Sequence, residues 1–160
     1  MTTTHVYFIT WTTYGTFLPG DSRGWRKRQS GPQQPRPALE QWSQDHMAHE
    51  AVRLSDDDRT TVQLACQQHC EFRGWTLLAA NARSNHVHVV VISDREPSTT
   101  RNQLKANCTR ALRQQRTPLH VPKTWSTGGD TKVLNTDDQI ESAILYVTEA
   151  QDQKGIEYPS

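Results

Sequence analysis

Two histidines one residue apart stand at the start of an apolar run, Asn85-His86-Val87-His88-Val89-Val90-Val91-Ile92. The β-branched residues predict a β-strand, and successive side chains of a strand point to opposite faces. His86 and His88 would therefore project from one face, with the intervening valines in a core on the other. Two imidazoles on a rigid strand can bind one metal ion. The alternative is a pair of structural histidines, half-buried at a strand end with backbone partners.

A second reactive side chain, Tyr146, lies in a later segment with helical periodicity. Ile140, Ile144 and Val147 form an apolar stripe there, and at about 100° per residue Tyr146 projects from the edge of that stripe. The helix could pack through its stripe while it presents the phenol to a site. With a metal nearby, a tyrosine hydroxyl can attack phosphorus and form a covalent link. The simpler alternative is a boundary aromatic whose hydroxyl lies in water.

The composition indicates one globular domain, residues 1–160. That length suffices for one sizeable core, and 34% of the residues are hydrophobic. No run approaches the roughly 18 apolar residues of a membrane span, and the first residues do not resemble a signal peptide, so we expect a cytoplasmic protein. Cys66, Cys70 and Cys108 are odd in number, which predicts buried thiols and no disulfide framework.

Charge is nearly balanced over the whole chain but clustered locally. The formal net charge of +1 is low for a protein that binds duplex DNA through many phosphates. Basic residues nevertheless cluster around Trp25, in residues 23–28, and again on a helical segment at 105–116. Such clusters are more often solvated faces than binding sites, so they do not by themselves establish a nucleic-acid partner.

The remaining patterns predict the elements that position these residues. In chain order they are a strand within residues 5–18, an irregular insertion at about 19–54 with a short helix between Leu39 and Leu54, a helix from the N-cap Ser55 to the C-cap Gly74, a strand at 75–82, the histidine strand, a helix at about 98–116, an edge strand within 125–134 and a last helix from Thr136.

This order of strands and helices is that of the split βαβ pattern. We therefore predict an α+β fold, a ferredoxin-like sandwich in which helices pack on an antiparallel sheet of four to five strands. The histidine strand should be central, with the C-terminal helix across the sheet close to it.

Several motifs together resemble a known family. They are Asn85-His86-Val87-His88, Trp125-Ser-Thr-Gly-Gly129, Tyr146-Val-Thr-Glu-Ala-Gln151 and the opening Thr10-Trp-Thr-Thr-Tyr-Gly-Thr-Phe-Leu-Pro-Gly-Asp-Ser-Arg-Gly24. In motif order, spacing and length the chain resembles the single-tyrosine HUH transposases, specifically the REP-associated tyrosine transposase branch of these insertion-sequence enzymes. The resemblance runs from about residue 5 to residue 154.

The resemblance implies an enzyme that cleaves single-stranded DNA and transfers the cut strand, in transposition or in the handling of repeated palindromes. Tyr146 would form a 5′-phosphotyrosine link and release a 3′-hydroxyl. A divalent metal, Mg²⁺ or Mn²⁺, would bind between His86 and His88, and imidazole suits Mn²⁺ better than Mg²⁺. The partner would be single-stranded or hairpin DNA, bound by a monomer or a homodimer.

One position departs from the family pattern. A third metal ligand, Gln or Asn, is typical four residues after the tyrosine, but Ala150 occupies that place. Gln151 lies one residue further, about 140° around an ideal helix from Tyr146, and could reach the metal if the helix loosens or bulges there. Gln151 is our preferred third ligand, with Glu149 and Gln153 as rivals.

Single-stranded DNA is bound by basic tracks with aromatic rings on which bases stack. The candidate DNA contacts are Arg23, Trp25, Arg26, Lys27, Arg28, Lys105, Arg110 and Arg113. Two other functions stay open. Ala150 is compatible with a single-stranded nucleic-acid-binding module whose nuclease site has decayed. A small metal-dependent hydrolase or metal-binding protein would explain the histidines, but would leave Tyr146 and the basic aromatic segment without a role.

Overall fold

The computed structural model describes residues 3–16, 25–27, 31–47 and 49–150. In chain order its elements are β1 His5–Thr12, β2 Trp25–Lys27, β3 Gly31–Gln33, α1 Pro37–Asp45, α2 Asp56–Arg73, β4 Thr76–Ala82, β5 His86–Ser93, α3 Pro97–Gln114, β6 Asp130–Leu134, α4 Asp137–Leu145 and a π-helix, Tyr146–Ala150. None of the described helices combines the length and the apolar character needed to span a membrane.

Four of the strands form one antiparallel sheet in the order β4-β5-β1-β6. The first and third strands of the βαββαβ unit, β1 and β5, are therefore central, which is the ferredoxin-like arrangement. The predicted α+β ferredoxin-like sandwich is confirmed, with four strands in the sheet, and the histidine strand is central as expected. β2 and β3 form a separate two-stranded hairpin within the insertion.

The sheet is covered on both faces, and the alternation along β1 and β5 decides what each face meets. Val87, Val89 and Val91 are buried in one core with side chains of α2 and α3. Phe8 and Val90 point the other way, into a second core that includes side chains of α4 and the π-helix. His86 and His88 share the parity of Val90. The histidines therefore lie on the face that carries the C-terminal helix.

The ends of α2 follow from its sequence, as predicted. The hydroxyl of Ser55 accepts from the backbone N–H of Asp58, and the Asp58 carboxylate accepts from the backbone N–H of Ser55. This capping box satisfies two donors that the helix cannot pair internally. Gly74 ends the helix with φ of 74°, a left-handed conformation that glycine adopts without a side-chain clash.

The described part of the insertion contains more regular structure than its sequence indicates. The predicted short helix is α1, which begins at Pro37 instead of Leu39 and ends at Asp45. The sequence predicts an irregular insertion here, yet Leu54 is 4% exposed and belongs to the α2–α3 core. The reason is long-range: the backbone N–H of Leu54 donates to the carbonyl of Ser84 at 2.7 Å, which holds this residue beside the sheet.

The first strand is shorter than predicted, because the chain leaves the sheet after Thr12. Thr13 forms an isolated bridge with Trp125, and its backbone N–H donates to the carbonyl of Asn85. These contacts gather three segments at the end of the sheet where the histidines lie. The predicted buried thiols are confirmed: Cys66, Cys70 and Cys108 are free and buried.

Candidate active site

His86 and His88 lie at the beginning of β5, on the same face of the sheet. Their ring centroids are 4.6 Å apart, with the ring planes at 74°. On β1, Thr12 pairs with His86 and Thr10 pairs with His88. His86 is half-buried, whereas His88 is 3% exposed. His88 therefore lies at the edge of the core, and His86 lies nearer to solvent.

The surroundings of His88 keep its imidazole neutral. Its Nδ1 lies 2.7 Å from the hydroxyl oxygen of Thr10, and its ring stacks on Phe8 at a centroid distance of 5.6 Å. Burial, together with the nearby charges of His86 and Arg83, lowers the pKa of His88 to about 3. A neutral imidazole is the form that binds a metal ion.

The hydrogen bonds of both rings orient them in the way that metal-binding histidines require. Nδ1 of His86 lies 2.7 Å from Oδ1 of Asn85. Because an amide oxygen only accepts, Nδ1 carries a proton, which leaves Nε2 as the ring nitrogen that can bind a metal ion. Thr10 can accept from Nδ1 of His88 in the same way. A second partner that fixes the tautomer of a histidine is characteristic of metal sites.

Tyr146 lies beside this pair, within the same chain. It is the first residue of the π-helix, and its ring centroid is 5.4 Å from that of His88, with the planes at 79°. Phe8 contacts it edge-on, with centroids 6.1 Å apart. Tyr146 is half-buried, while the next residue, Val147, is fully buried. Tyr146 therefore projects from the edge of a packed apolar stripe, as predicted.

The π-helix coincides with the departure noted in the sequence. Its hydrogen bonds join residues five apart instead of four, so one extra residue is accommodated in the turn that follows Tyr146. Asn81 on β4 donates from Nδ2 to the carbonyl of Val147 at 3.0 Å, and Asn81 pairs with His88 across the sheet. Sequence reasoning did not identify Asn81. The sequence feature that could have identified it is a polar residue two positions after the buried Ala79, on the same face of β4.

In the described part of the chain, the nitrogen donors that could hold a metal at this site are the imidazoles of His86 and His88. Among its residues no group of three or more His, Cys, Asp or Glu side chains could hold an ion. Glu149 is exposed, while the preferred third ligand Gln151 and its rival Gln153 lie outside the described residues. Two imidazoles on one strand face are nitrogen donors of the kind that divalent transition-metal ions accept.

Lys105, a candidate DNA contact, has its ammonium group turned toward the protein. Nζ donates to the carbonyls of Ser126 at 2.9 Å and Gly128 at 2.8 Å. Burial, followed by the charges of Arg101 and Lys123, lowers the pKa of Lys105 to about 8. Lys105 thus holds the Ser126–Gly129 loop in place, at the end of the sheet that bears the histidines.

The other candidate DNA contacts divide into two groups. Arg110 and Arg113 are exposed on α3, where Arg113 donates to the carbonyl of Val121 at 3.3 Å. Arg23 and Arg28 lie outside the described residues. The segment Trp25–Lys27 is described only as backbone, in the β2–β3 hairpin.

The chain matches the family model described as "Transposase IS200 like" over residues 47–150. No curated protein sequence matches it. In fold it is similar to a solved REP-associated tyrosine transposase bound to a REP hairpin, with 12% sequence identity and a TM-score of 0.49. That similarity covers 89% of this chain and 64% of the other.

Acid should destabilise the metal-free wild type more steeply than the His88→Gln variant. The pKa of His88 is about 3 in the folded protein and 6.5 in the unfolded chain, so between these values the unfolded chain takes up a proton that the folded protein does not. The free energy of unfolding therefore falls as pH falls below 6.5, by up to about 1.4 kcal/mol per pH unit.

Urea unfolding from about pH 7 to about pH 5, with a chelator present, measures this difference. His120→Gln, at an exposed histidine, is the matched control for the loss of an imidazole. Parallel curves for the wild type and His88→Gln would contradict the assignment of His88 as a buried neutral base.

Proposed function

The chain belongs to the IS200-like transposase family, and from this premise we propose that it cleaves and rejoins single-stranded DNA at the site formed by Tyr146, His86 and His88. The observation that carries the proposal is the 5.4 Å separation between the rings of Tyr146 and His88. A phenol can act as the nucleophile in phosphoryl transfer, and a pair of imidazoles beside it could hold the metal ion that assists the reaction. Family membership favours a DNA substrate over the metal-dependent hydrolase considered above.

In the proposed reaction the hydroxyl oxygen of Tyr146 attacks a backbone phosphorus. A bond forms between that oxygen and phosphorus, and the bond from phosphorus to the 3′ oxygen breaks. The phenolic proton ends on the released 3′ oxygen, so the products are a 5′-phosphotyrosine link and a 3′-hydroxyl. The reverse attack by a 3′-hydroxyl reseals the strand. Because the link keeps the phosphodiester energy, no ATP is required.

The surrounding side chains position the groups and exclude water. Phe8 is 1% exposed and contacts both His88 and Tyr146, so it forms the apolar floor of the site. Exclusion of water strengthens electrostatic interactions inside such a site. Thr10 and Asn85 hold the two imidazoles in one tautomer and one orientation. The nucleophile therefore meets the phosphate in a fixed relation to the histidines.

We propose that His86 and His88 bind Mg²⁺ or, with the better match to imidazole, Mn²⁺. A divalent ion at this place would neutralise a non-bridging phosphate oxygen and polarise the scissile bond. Gln151 is our candidate for the third ligand. The i to i+5 hydrogen bonding of the π-helix supports this choice, since residues five apart then occupy successive turns, as residues four apart do in an α-helix.

The DNA partner in this proposal is single-stranded or hairpin DNA. Arg110 and Arg113 are exposed and can meet phosphates, while Lys105 would act indirectly through the Ser126–Gly129 loop. The basic segment from Arg23 to Arg28, with Trp25 for stacking, remains the second contact region that we propose.

A single-stranded DNA-binding module without cleavage is the second candidate function. Ala150, which occupies the position of the family's usual amide ligand, is the observation that favours it. The two candidates differ in one product, since cleavage leaves the protein covalently attached to DNA.

Removal of only the hydroxyl, by Tyr146→Phe, should eliminate the covalent adduct. Water cannot replace the phenol in forming a protein–DNA bond, and the retained ring keeps its contacts with Phe8 and His88. Mass spectrometry of the digested wild-type adduct, formed on labelled single-stranded hairpin oligonucleotides with Mn²⁺, should place the nucleotide on Tyr146. Tyr14→Phe is the matched control and should leave the adduct intact.

Binding of uncut DNA by Tyr146→Phe should stay within about twofold of the wild type, because the ring is kept. Adduct in the Tyr146→Phe protein would show that the nucleophile is misassigned. DNA retention by the wild type without any adduct would favour the binding module instead.

The third-ligand proposal predicts that Gln151→Ala weakens Mn²⁺ binding by about 10- to 100-fold, by analogy with the loss of groups that support a metal site. Calorimetric titration of Mn²⁺ in the absence of DNA measures this affinity without relying on cleavage. Glu149→Ala and Gln153→Ala are controls that should bind Mn²⁺ as the wild type does. An equal loss at Glu149 with none at Gln151 would reassign the ligand.

A further inference from the structure

We propose that Asn81 is a positioning residue that fixes the distance between Tyr146 and the histidines. The inference rests on the proposed function, and it assigns a role to a residue outside the motifs that carry the chemistry. Asn81 lies on the edge strand β4, directly across from His88 on β5. Its side-chain amide donates to the carbonyl of Val147, with Nδ2 and O separated by 3.0 Å.

This hydrogen bond links the backbone that carries Tyr146 to the pair of strands that carries His88. Val147 follows Tyr146 in the chain, so its carbonyl belongs to the backbone that carries the phenol. Asn81 shares a sheet register with His88, so its own position is set by the backbone ladder of the sheet. Beside the ring contacts of Phe8, one path from nucleophile to histidine therefore runs through a single side chain and hydrogen-bonded backbone.

A directional contact can fix the position of Tyr146 here, because this residue lies where the helix changes geometry. Regular α-helix ends at Leu145, and the wider π-helix begins at Tyr146. Such single-turn widenings recur at functional sites. The apolar contacts of Ala143 and Val147 hold the helix on the sheet, but nonpolar packing is not directional. The amide hydrogen bond is directional and can select one placement of the turn.

Asn81 is therefore expected to affect the rate of the chemical step more than DNA affinity or folding. Docking of α4 depends on the core around Phe8 and Val90, which does not include Asn81. A displacement of about 1 Å in a reacting group can cost about 100-fold in rate. DNA binding does not require the tyrosine to be placed to that tolerance.

The test compares Asn81→Leu, which removes the donor, keeps the number of side-chain heavy atoms and adds no charge, with Asn81→Gln, which keeps a donor on a longer side chain. Asn102→Leu is the matched control, since Asn102 is exposed on α3, on the other face of the sheet. Three quantities are measured with the full chain. They are the adduct rate at saturating single-stranded hairpin oligonucleotide with Mn²⁺, the Kd for that oligonucleotide, and hydrogen–deuterium exchange of the 143–149 segment without metal or DNA.

For Asn81→Leu we expect an adduct rate that is about 10- to 100-fold lower, a Kd within about twofold of the wild type, and faster exchange in the 143–149 segment. Asn81→Gln should recover part of the rate, and Asn102→Leu should match the wild type in all three measurements. If Asn81→Leu does not fold, Asn81→Ala replaces it.

An unchanged rate in Asn81→Leu would overturn the inference. A lower rate with unchanged exchange would overturn it as well, because Asn81 would then act on the DNA and not on the helix. If the wild type forms no adduct, the proposed function fails, and the exchange measurement alone decides whether Asn81 holds the turn.

Discussion

Strand β5 is buried on both faces, and the rest of the site depends on how its alternating side chains are divided between them. One face carries valines into the core with α2 and α3, and the other carries Val90 together with both histidines toward the C-terminal helix. A shift of register by one residue would exchange the faces and would bury the imidazoles among the apolar side chains of α2 and α3. Pairing with β1 on one side and β4 on the other excludes that shift.

This placement has an electrostatic consequence. An imidazole buried to the extent of His88 loses hydration that its charged form needs, so it remains neutral at physiological pH. The hydroxyl of Thr10 offsets part of the cost of burying its polar atoms. A histidine kept neutral and oriented is prepared to bind a cation without first losing a proton. The burial of His88 thus contributes to the second core and also prepares its imidazole for the proposed metal binding.

The local features of the site could be predicted from the sequence, because they follow from strand and helix periodicity. His86 and His88 share a face since they are two residues apart, and Tyr146 projects beside Val147 since the helix repeat places it there. The features that could not be predicted join residues far apart in the chain. Thr10 meets His88, Asn81 meets Val147, and Lys105 meets the Ser126–Gly129 loop, and no local pattern encodes such pairs. The π-helix is similar, because the sequence showed only that Ala150 interrupts a spacing, whereas the geometry that accommodates it depends on tertiary packing.

The central claim is that one chain supplies both the nucleophile and the histidines. The most direct measurement is complementation between His88→Ala, which retains Tyr146, and Tyr146→Phe, which retains both histidines, with the two variants co-expressed so that any dimers are mixed. Labelled single-stranded hairpin oligonucleotide and Mn²⁺ are added, and adduct is measured on a denaturing gel beside the wild type. Assembly of the site within one chain predicts adduct for the wild type and none for the mixture above either variant alone. Adduct restored in the mixture would show that Tyr146 acts on the histidines of another chain, in contradiction of this account.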